Sequence, residues 1–161
     1  MPAHPTAIDR GVQLGFIVAH RLLRAYWTVR RPRTQGSLVA VWNRGELLIV
    51  KNSYRREHTL PGGYRRPGET AAEAGARELA EECGIFAEPG RIRETYRGVH
   101  PFEHRKDDVT IVEVDLETRP EVIAIDHREV TWAGFKRPQE ILAMNIVPHL
   151  REYIEGRDKR G

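Results

Sequence analysis

The chain has 161 residues, 40% hydrophobic and 30% charged, with a formal net charge of +3. That length and balance predict one soluble globular domain with enough chain to bury a real core. The single cysteine, Cys83, excludes an intrachain disulfide framework and a cysteine-based zinc site, so a reducing cytoplasm is the expected setting.

Residues 1–10 hold two prolines and no periodicity, and read as a loose tail. Residues 11–29 are predicted to form an amphipathic helix, with Leu14, Val18, Leu22, Ala25 and Val29 on one apolar stripe and Arg21 and Arg24 elsewhere. The expected role of the stripe is packing, on the chain's own domain or on a second subunit. A membrane surface is the secondary reading, because Phe16, Tyr26, Trp27 and the arginines also suit an interface. The longest uncharged run, 11–19, is too short to span a bilayer, which takes about 20 apolar residues, and no signal-peptide layout accompanies it. From Arg10 through Gly45 there are seven arginines and no acid. A basic front third therefore precedes an acidic central helix, which suits a polyanionic substrate or a solvated face.

The expected division is a tail and helix over 1–34 and a main domain over 35–161. In the latter, two apolar runs at 38–42 and 46–50 flank Asn43, Arg44 and Gly45, a hairpin signal. A polar loop over 52–57 and a short segment at 59–63 lead into a turn-rich loop and a helix over 70–83. That helix opens on a capping box, Thr70 with Glu73, and stops at Gly84, where a left-handed residue is needed. Strands are predicted at 92–99 and 109–116, joined by a loop over 100–108, and at 130–134; helices are predicted at 139–144 and 147–155. Strands on both sides of a helix, with more helices at the end, give an α/β sandwich around a mixed sheet.

On the central helix, Ala72, Ala76, Leu79 and Cys83 form a stripe of small and apolar residues suited to lie on a sheet. Glu78, Glu81 and Glu82 crowd a second face, with Glu69 just ahead of the helix and Arg77 the one cation among them. A solvent-facing Glu-rich helix is the common meaning of such a run. Crowded carboxylates on a rigid element also suit a hard divalent cation, which prefers oxygen ligands.

The spacing decides between these. Gly63, Glu69, then Arg77-Glu78-Leu79-Ala80-Glu81-Glu82-Cys83-Gly84-Ile85 resembles the Nudix box, G-x5-E-x7-R-E-U-x-E-E-x-G-U, at all nine specified positions of a 23-residue span. The resemblance extends over roughly 37–154 and leaves the N-terminal helix outside. It implies a Nudix-type α-β-α sandwich and a pyrophosphohydrolase that cleaves a nucleoside diphosphate linked to another moiety, such as ADP-ribose or a nucleotide sugar. It implies Mg2+, with Mn2+ as alternative, held by Glu78, Glu81 and Glu82, Glu82 foremost, with the Gly63 carbonyl as a further ligand. Arg77 is then the orienting residue of the catalytic group, through its i,i+4 pair with Glu81. The general base is assigned to a box glutamate, with Glu103, Glu129 and Glu140 as outside candidates. Arg55, Arg56, His58, Arg65 and Arg66 flank the box and are the expected substrate-phosphate contacts, and Arg105 and Lys106 lie on a later loop. Tyr54, Tyr64, Tyr96, Phe102 and Trp132 are candidates to stack a base, or simply core aromatics. A homodimer is expected by the same resemblance.

Other classes fare worse. The only serines, Ser37 and Ser53, sit in no G-x-S-x-G, and no Walker-type loop or dinucleotide fingerprint occurs. His100 and His104 fall in a predicted loop beside Pro101, which argues against a zinc pair. A non-catalytic nucleotide sensor would be expected to lose box glutamates. Action on RNA 5′ ends, favoured by the basic front third, leaves nucleic acid open as a partner, although no RNA-binding motif supports it.

Overall fold

The structure, a computed structural model, describes residues 6–30, 33–102 and 105–158, with side chains except at 27–30, 33, 101–102, 105–107 and 158. The sequence-named Glu103 and His104 and the side chains of Phe102, Arg105 and Lys106 therefore lie outside the described residues.

In chain order the elements are α1 (Ala7–Arg30), β1 (Arg33–Asn43), β2 (Glu46–Asn52), β3 (His58–Thr59), β4 (Gly62–Tyr64), α2 (Ala71–Cys83), a 3-10 turn (Pro89–Arg91), β5 (Arg93–Phe102), β6 (Arg105–Asp115), β7 (Val130–Lys136), α3 (Pro138–Leu142) and α4 (Pro148–Asp158). One mixed sheet runs β3-β2-β1-β6-β5, with β4 also on β1 and β7 also on β2. The β1–β6 pair is parallel and the rest are antiparallel.

Local chemistry explains the turns. Arg44 and Gly45 both take positive φ, 48° and 81°, the pattern of a two-residue hairpin loop whose twist matches its strands. The Thr70 hydroxyl accepts from Glu73 N while the Glu73 carboxylate accepts from Thr70 N, and Gly84 closes the helix at φ 64°. The capping signals read in the sequence are thus the real helix ends.

Two apolar layers cover the sheet. On one side Leu38, Ala40, Leu47, Ile49 and Ile111 pack under Ile141, Val147, Leu150, Tyr153 and Ile154 of the C-terminal helices. On the other, Val39, Val41, Leu48, Val50 and Val112 meet Leu79 and Cys83 of α2. The result is the expected α-β-α sandwich. Alternate residues of β1 supply both layers, as a period-two strand buried on both faces must.

Three expectations change in detail. The loop predicted over 100–108 is mostly strand: β5 runs through Phe102 and β6 begins at Arg105, so charged residues 105–108 lengthen a hairpin. Hydrophobic patterning misses strand ends whose side chains are exposed or ion-paired, as Arg97 with Asp108 at 3.0 Å. On α2 the residues pressed hardest on the sheet are Ala71, Ala74, Gly75, Leu79, Glu82 and Cys83, with Ala72 and Ala76 only partly buried. A Cβ at Gly75 would lie 2.8 Å from Val112 Cγ2 and 2.9 Å from Val39 Cγ2, so glycine sets how closely α2 lies on the strands. That rotation draws Glu82 into the interior.

The third change concerns α1. Its predicted stripe does not face the domain: Leu14, Val18 and Leu22 are 62%, 49% and 67% exposed. The face that docks is Asp9, Gln13, Phe16, Ile17 and His20. Gln13 Nε2 donates to the His127 carbonyl at 2.5 Å, Asp9 pairs with Arg128 at 3.7 Å, and the His20 and Phe16 rings lie 4.9 and 6.3 Å from that of Tyr54. Polar groups that happen to find partners on the loop after β6 decide the docking, and periodicity cannot see those partners.

Candidate active site

The loop 65–70 and α2 are locked together by one arginine. Arg77 Nε and Nη2 donate to the two oxygens of Glu69 at 2.9 and 3.0 Å, a bidentate pair, and Nη2 also reaches the Tyr64 carbonyl at 3.2 Å. Nη1 donates to Glu78 Oε1 at 2.6 Å and is 3.5 Å from Glu81 Oε2. Glu69 and Glu78 are therefore its principal partners, ahead of the i,i+4 residue Glu81. The Arg77 guanidinium, aided by the Arg66 N–H, holds the Glu69 carboxyl down at about 2.

The three box carboxylates occupy graded environments. Glu81 is exposed and leans towards Arg66 at 3.7 Å. Glu78 is part-buried; desolvation raises its carboxyl and the nearby Arg77 offsets part of that. Glu82 is 3% exposed. Burial pushes the Glu82 carboxyl up to about 8, and Glu129 and Glu78 push the same way, against hydrogen bonds from Gly62 N and Asn52. Burial and the two neighbouring acids all disfavour its ionised form, a shift that a cation bound at these oxygens would reverse.

Gly62 and Gly63 bring the backbone to these acids. Gly62 has φ 145°, and a Cβ there would lie 2.2 Å from the Ser37 carbonyl oxygen. A Cβ on Gly63 would fall 2.7 Å from Glu78 Oε1. Only glycine lets β4 pass between β1 and the Glu78 carboxylate.

A cavity of about 550 Å³ opens over this region. Glu78, Glu81, Arg77, Gly63 and Arg66 line it together with Leu38, Thr59, Val109 and His149, and Glu82 is not among its lining residues. Arg55, Arg65, Tyr54 and Tyr64 also border it. Arg56 and His58 do not: His58 Nδ1 lies 3.2 Å from the Asn145 carbonyl and its ring meets Trp132 edge-on. Tyr96 bonds Glu152 at 2.8 Å away from the cavity, and Glu140 accepts from Arg137 N at the start of α3.

Glu129, the middle of the three outside acids named from the sequence, borders the cavity. Tyr54 donates to its Oε1 at 2.8 Å, and its backbone carbonyl accepts from Ser53 N at 2.7 Å. Asp126 N donates to the Glu82 carbonyl at 3.1 Å, which ties this loop to the end of α2. No spacing in the sequence marks Glu129, because the loop is brought there by β7 pairing with β2. Asn52 and Tyr54, which meet Glu82 and Glu129, were equally silent as acid-binding residues.

Among the described residues, no three acidic, histidine or cysteine side chains already converge as a closed cage. Glu78 is turned to Arg77, Glu81 towards Arg66 and Glu82 to Gly62. The donor set nevertheless fits Mg2+ or Mn2+. It is all oxygen and in excess negative charge, and the backbone of Gly63 runs against one carboxylate.

The NUDIX domain profile matches residues 32–155. A Bacillus subtilis (strain 168) protein named for 8-oxo-dGTP diphosphatase activity is 46% identical over 55 residues, which span 34% of this chain and 37% of that relative. Among solved structures, the MutT protein of Methanosarcina mazei Go1 superimposes with TM-score 0.67 at 22% identity, over 82% of this chain and 97% of that one. A C. elegans Ap4A hydrolase in a binary complex gives TM-score 0.63 at 14% identity, over 79% and 96% of the two chains. A bifunctional NMN adenylyltransferase/ADP ribose pyrophosphatase of Francisella tularensis, complexed with AMP and a Mn ion, gives TM-score 0.68 at 16% identity, over 92% of this chain and 48% of that longer one. At these identities the structural likenesses speak for the fold, while the profile covers most of the chain: the protein belongs to the NUDIX domain family.

Proposed function

We propose that this Nudix hydrolase is a divalent-metal-dependent pyrophosphohydrolase acting on a nucleoside diphosphate linked to another moiety. The observation that carries the reading is the buried Glu82 carboxyl, pushed up to about 8 by desolvation and by Glu129 and Glu78, two acids that line an open cavity which Glu82 itself, beneath them, does not border. Without a cation this acid takes up a proton at neutral pH, whereas a divalent ion bound beside it would hold it as a carboxylate ligand.

Glu78, Glu81 and Glu82, with the Gly63 carbonyl, are the residues that would hold Mg2+ or Mn2+. Bound there, the ion supplies charge neutralisation for non-bridging phosphate oxygens and makes water more acidic. Arg77 fixes Glu78 and, through Glu69 and the Tyr64 carbonyl, keeps the box loop against α2. Arg55, Arg65 and Arg66 border the cavity and bring cationic donors to the substrate phosphates. Arg56 and His58 lie outside that lining and are left out of the proposed phosphate contacts. In the net reaction water adds to one phosphorus, the bond from that phosphorus to the bridging oxygen breaks, and the other phosphate departs with that oxygen. A box glutamate takes the proton of the attacking water. Leu38, Thr59 and Val109 give the cavity a part suited to the non-phosphate portion of a substrate.

The box keeps every carboxylate, which favours catalysis over simple nucleotide sensing. We also propose the division into a segment over 1–34 and a domain over 35–161, although β1 already begins at Arg33, and a reducing cytoplasm as the setting. The test is phosphate release from ADP-ribose, nucleotide sugars, dinucleoside polyphosphates and oxidised nucleoside triphosphates with and without Mg2+. Turnover that depends on the ion and vanishes with EDTA is expected; turnover indifferent to EDTA would refute the proposal.

A further inference from the structure

Helix α1 lies wholly outside the matched family region and has a solvent face of unusual chemistry. At about 3.6 residues per turn, the face opposite the docked Gln13 and His20 carries Leu14, Val18, Leu22 and Ala25, with Ile8 and Tyr26 on its border. Ile8, Leu14, Leu22 and Tyr26 are 73%, 62%, 67% and 53% exposed. Gly11 and Gly15 leave its centre flat, with nothing within 4 Å of a built Cβ. No charged side chain interrupts this face. The outer side of a water-exposed helix ordinarily carries the charges, and here they stand at the margin instead.

That margin is basic. Arg10 and Arg21, about three turns apart, edge the apolar face on one side and are exposed, as is Arg24 further round. The helix's one acid, Asp9, is turned inward to Arg128. The sequence adds Arg30, Arg31 and Arg33 beyond, with no acid from Arg10 through Gly45.

We infer that α1 is a membrane-surface helix, seating Leu14, Val18 and Leu22 at the acyl boundary of an anionic bilayer while its arginines meet the lipid phosphates. Charge selects this occupant over a second copy of the chain. An antiparallel helix pair built on the same face sets the arginine edges of the two helices against each other, and a parallel pair leaves both edges without a carboxylate from either helix, whereas an anionic surface supplies the counter-charge. No described helix is long and apolar enough to cross a membrane, so α1 lies in the surface plane. This inference stands apart from the hydrolytic reading and is read by a different measurement.

The test is co-sedimentation of the full chain with vesicles of phosphatidylcholine alone or mixed with phosphatidylglycerol, beside the double variant Val18→Glu/Leu22→Glu. Both positions face solvent, so the variant should fold, checked by circular dichroism. Expected is binding to the mixed vesicles, weakened by salt, and reduced about tenfold or more in the variant or on phosphatidylcholine alone. Wild-type protein left in the supernatant with the mixed vesicles overturns the inference. So does equal binding by the double variant, which would assign the attraction to arginines alone. A dimer in sedimentation equilibrium that the double variant converts to monomer would assign the face to a second copy and overturn it too.

Discussion

The Gly62 backbone N–H donates to Oε2 of Glu82 at 2.9 Å, so the most buried acid of the box is held by the glycine that ends the preceding turn. That donor and the Asn52 side chain do not offset the loss of water around a carboxylate. Glu82 is therefore poorly stabilised as an anion, and under the proposed function a bound cation is what would keep it ionised.

Glu82→Gln keeps the volume and an oxygen able to accept from Gly62, and removes the charge. Turnover on the responsive substrate should fall on the order of a hundredfold or more, with circular dichroism unchanged. Near-normal turnover would remove Glu82 from the metal-holding group.

The same acid makes stability depend on pH. The folded-state carboxyl sits at about 8 against an ordinary 4.5, so the folded chain binds the extra proton between these values. A raised folded pKa contributes stability that is complete below 4.5 and lost as pH climbs through about 8. The metal-free protein should accordingly lose Tm as pH rises across that window. Glu82→Gln should flatten the slope, and Mg2+ should restore Tm most at the alkaline end. A wild-type slope matching that of Glu82→Gln would contradict the burial argument.

Arg77→Lys keeps the charge but loses the planar fork that grips Glu69 at 2.9 and 3.0 Å while also reaching Glu78 and Tyr64. Stability should drop by about 1–3 kcal/mol in denaturant titration. Glu69, held down to about 2 in the wild type, contributes stability present above 4.5 and lost as pH falls through about 2. In Arg77→Lys that acid-limb loss should be shallower. An unchanged acid limb would mean that Arg77 is not what lowers Glu69.

How much of this could be read in advance follows the range of each interaction. The ends of α2 were legible because capping is local: Thr70 meets Glu73 at one end, and the Gly84 N–H meets the Ala80 and Leu79 carbonyls at the other. The box was legible because it is contiguous. The rotation of α2 was not, since it is set by Gly75 against Val39 and Val112, residues of two distant strands. The docked face of α1 was missed for the same reason: Gln13 answers to a carbonyl at His127, 114 residues away. Arg55, Arg65 and Arg66 reached the cavity while Arg56 and His58 did not. Adjacent residues of an irregular loop point different ways, and proximity in sequence cannot rank them.

Glu129 gives the sharpest test of what sequence alone left open. Its carboxylate takes the Tyr54 hydroxyl at 2.8 Å and borders the cavity shared by Glu78 and Glu81, and its charge raises Glu82. Any cation held by the box therefore feels this acid as well. Glu129→Gln should raise the Mg2+ concentration for half-maximal rate and lower the rate about tenfold or more. Tyr54→Phe removes only the hydroxyl that orients the carboxylate, so its effect should have the same direction and a smaller size. Because Glu129 also disfavours ionised Glu82, its neutral variant should reduce the alkaline loss of Tm in the metal-free protein. A shift in Tm slope with no change in Mg2+ dependence would confine Glu129 to the electrostatics of the empty site. Changes in both would bring it within reach of the ion.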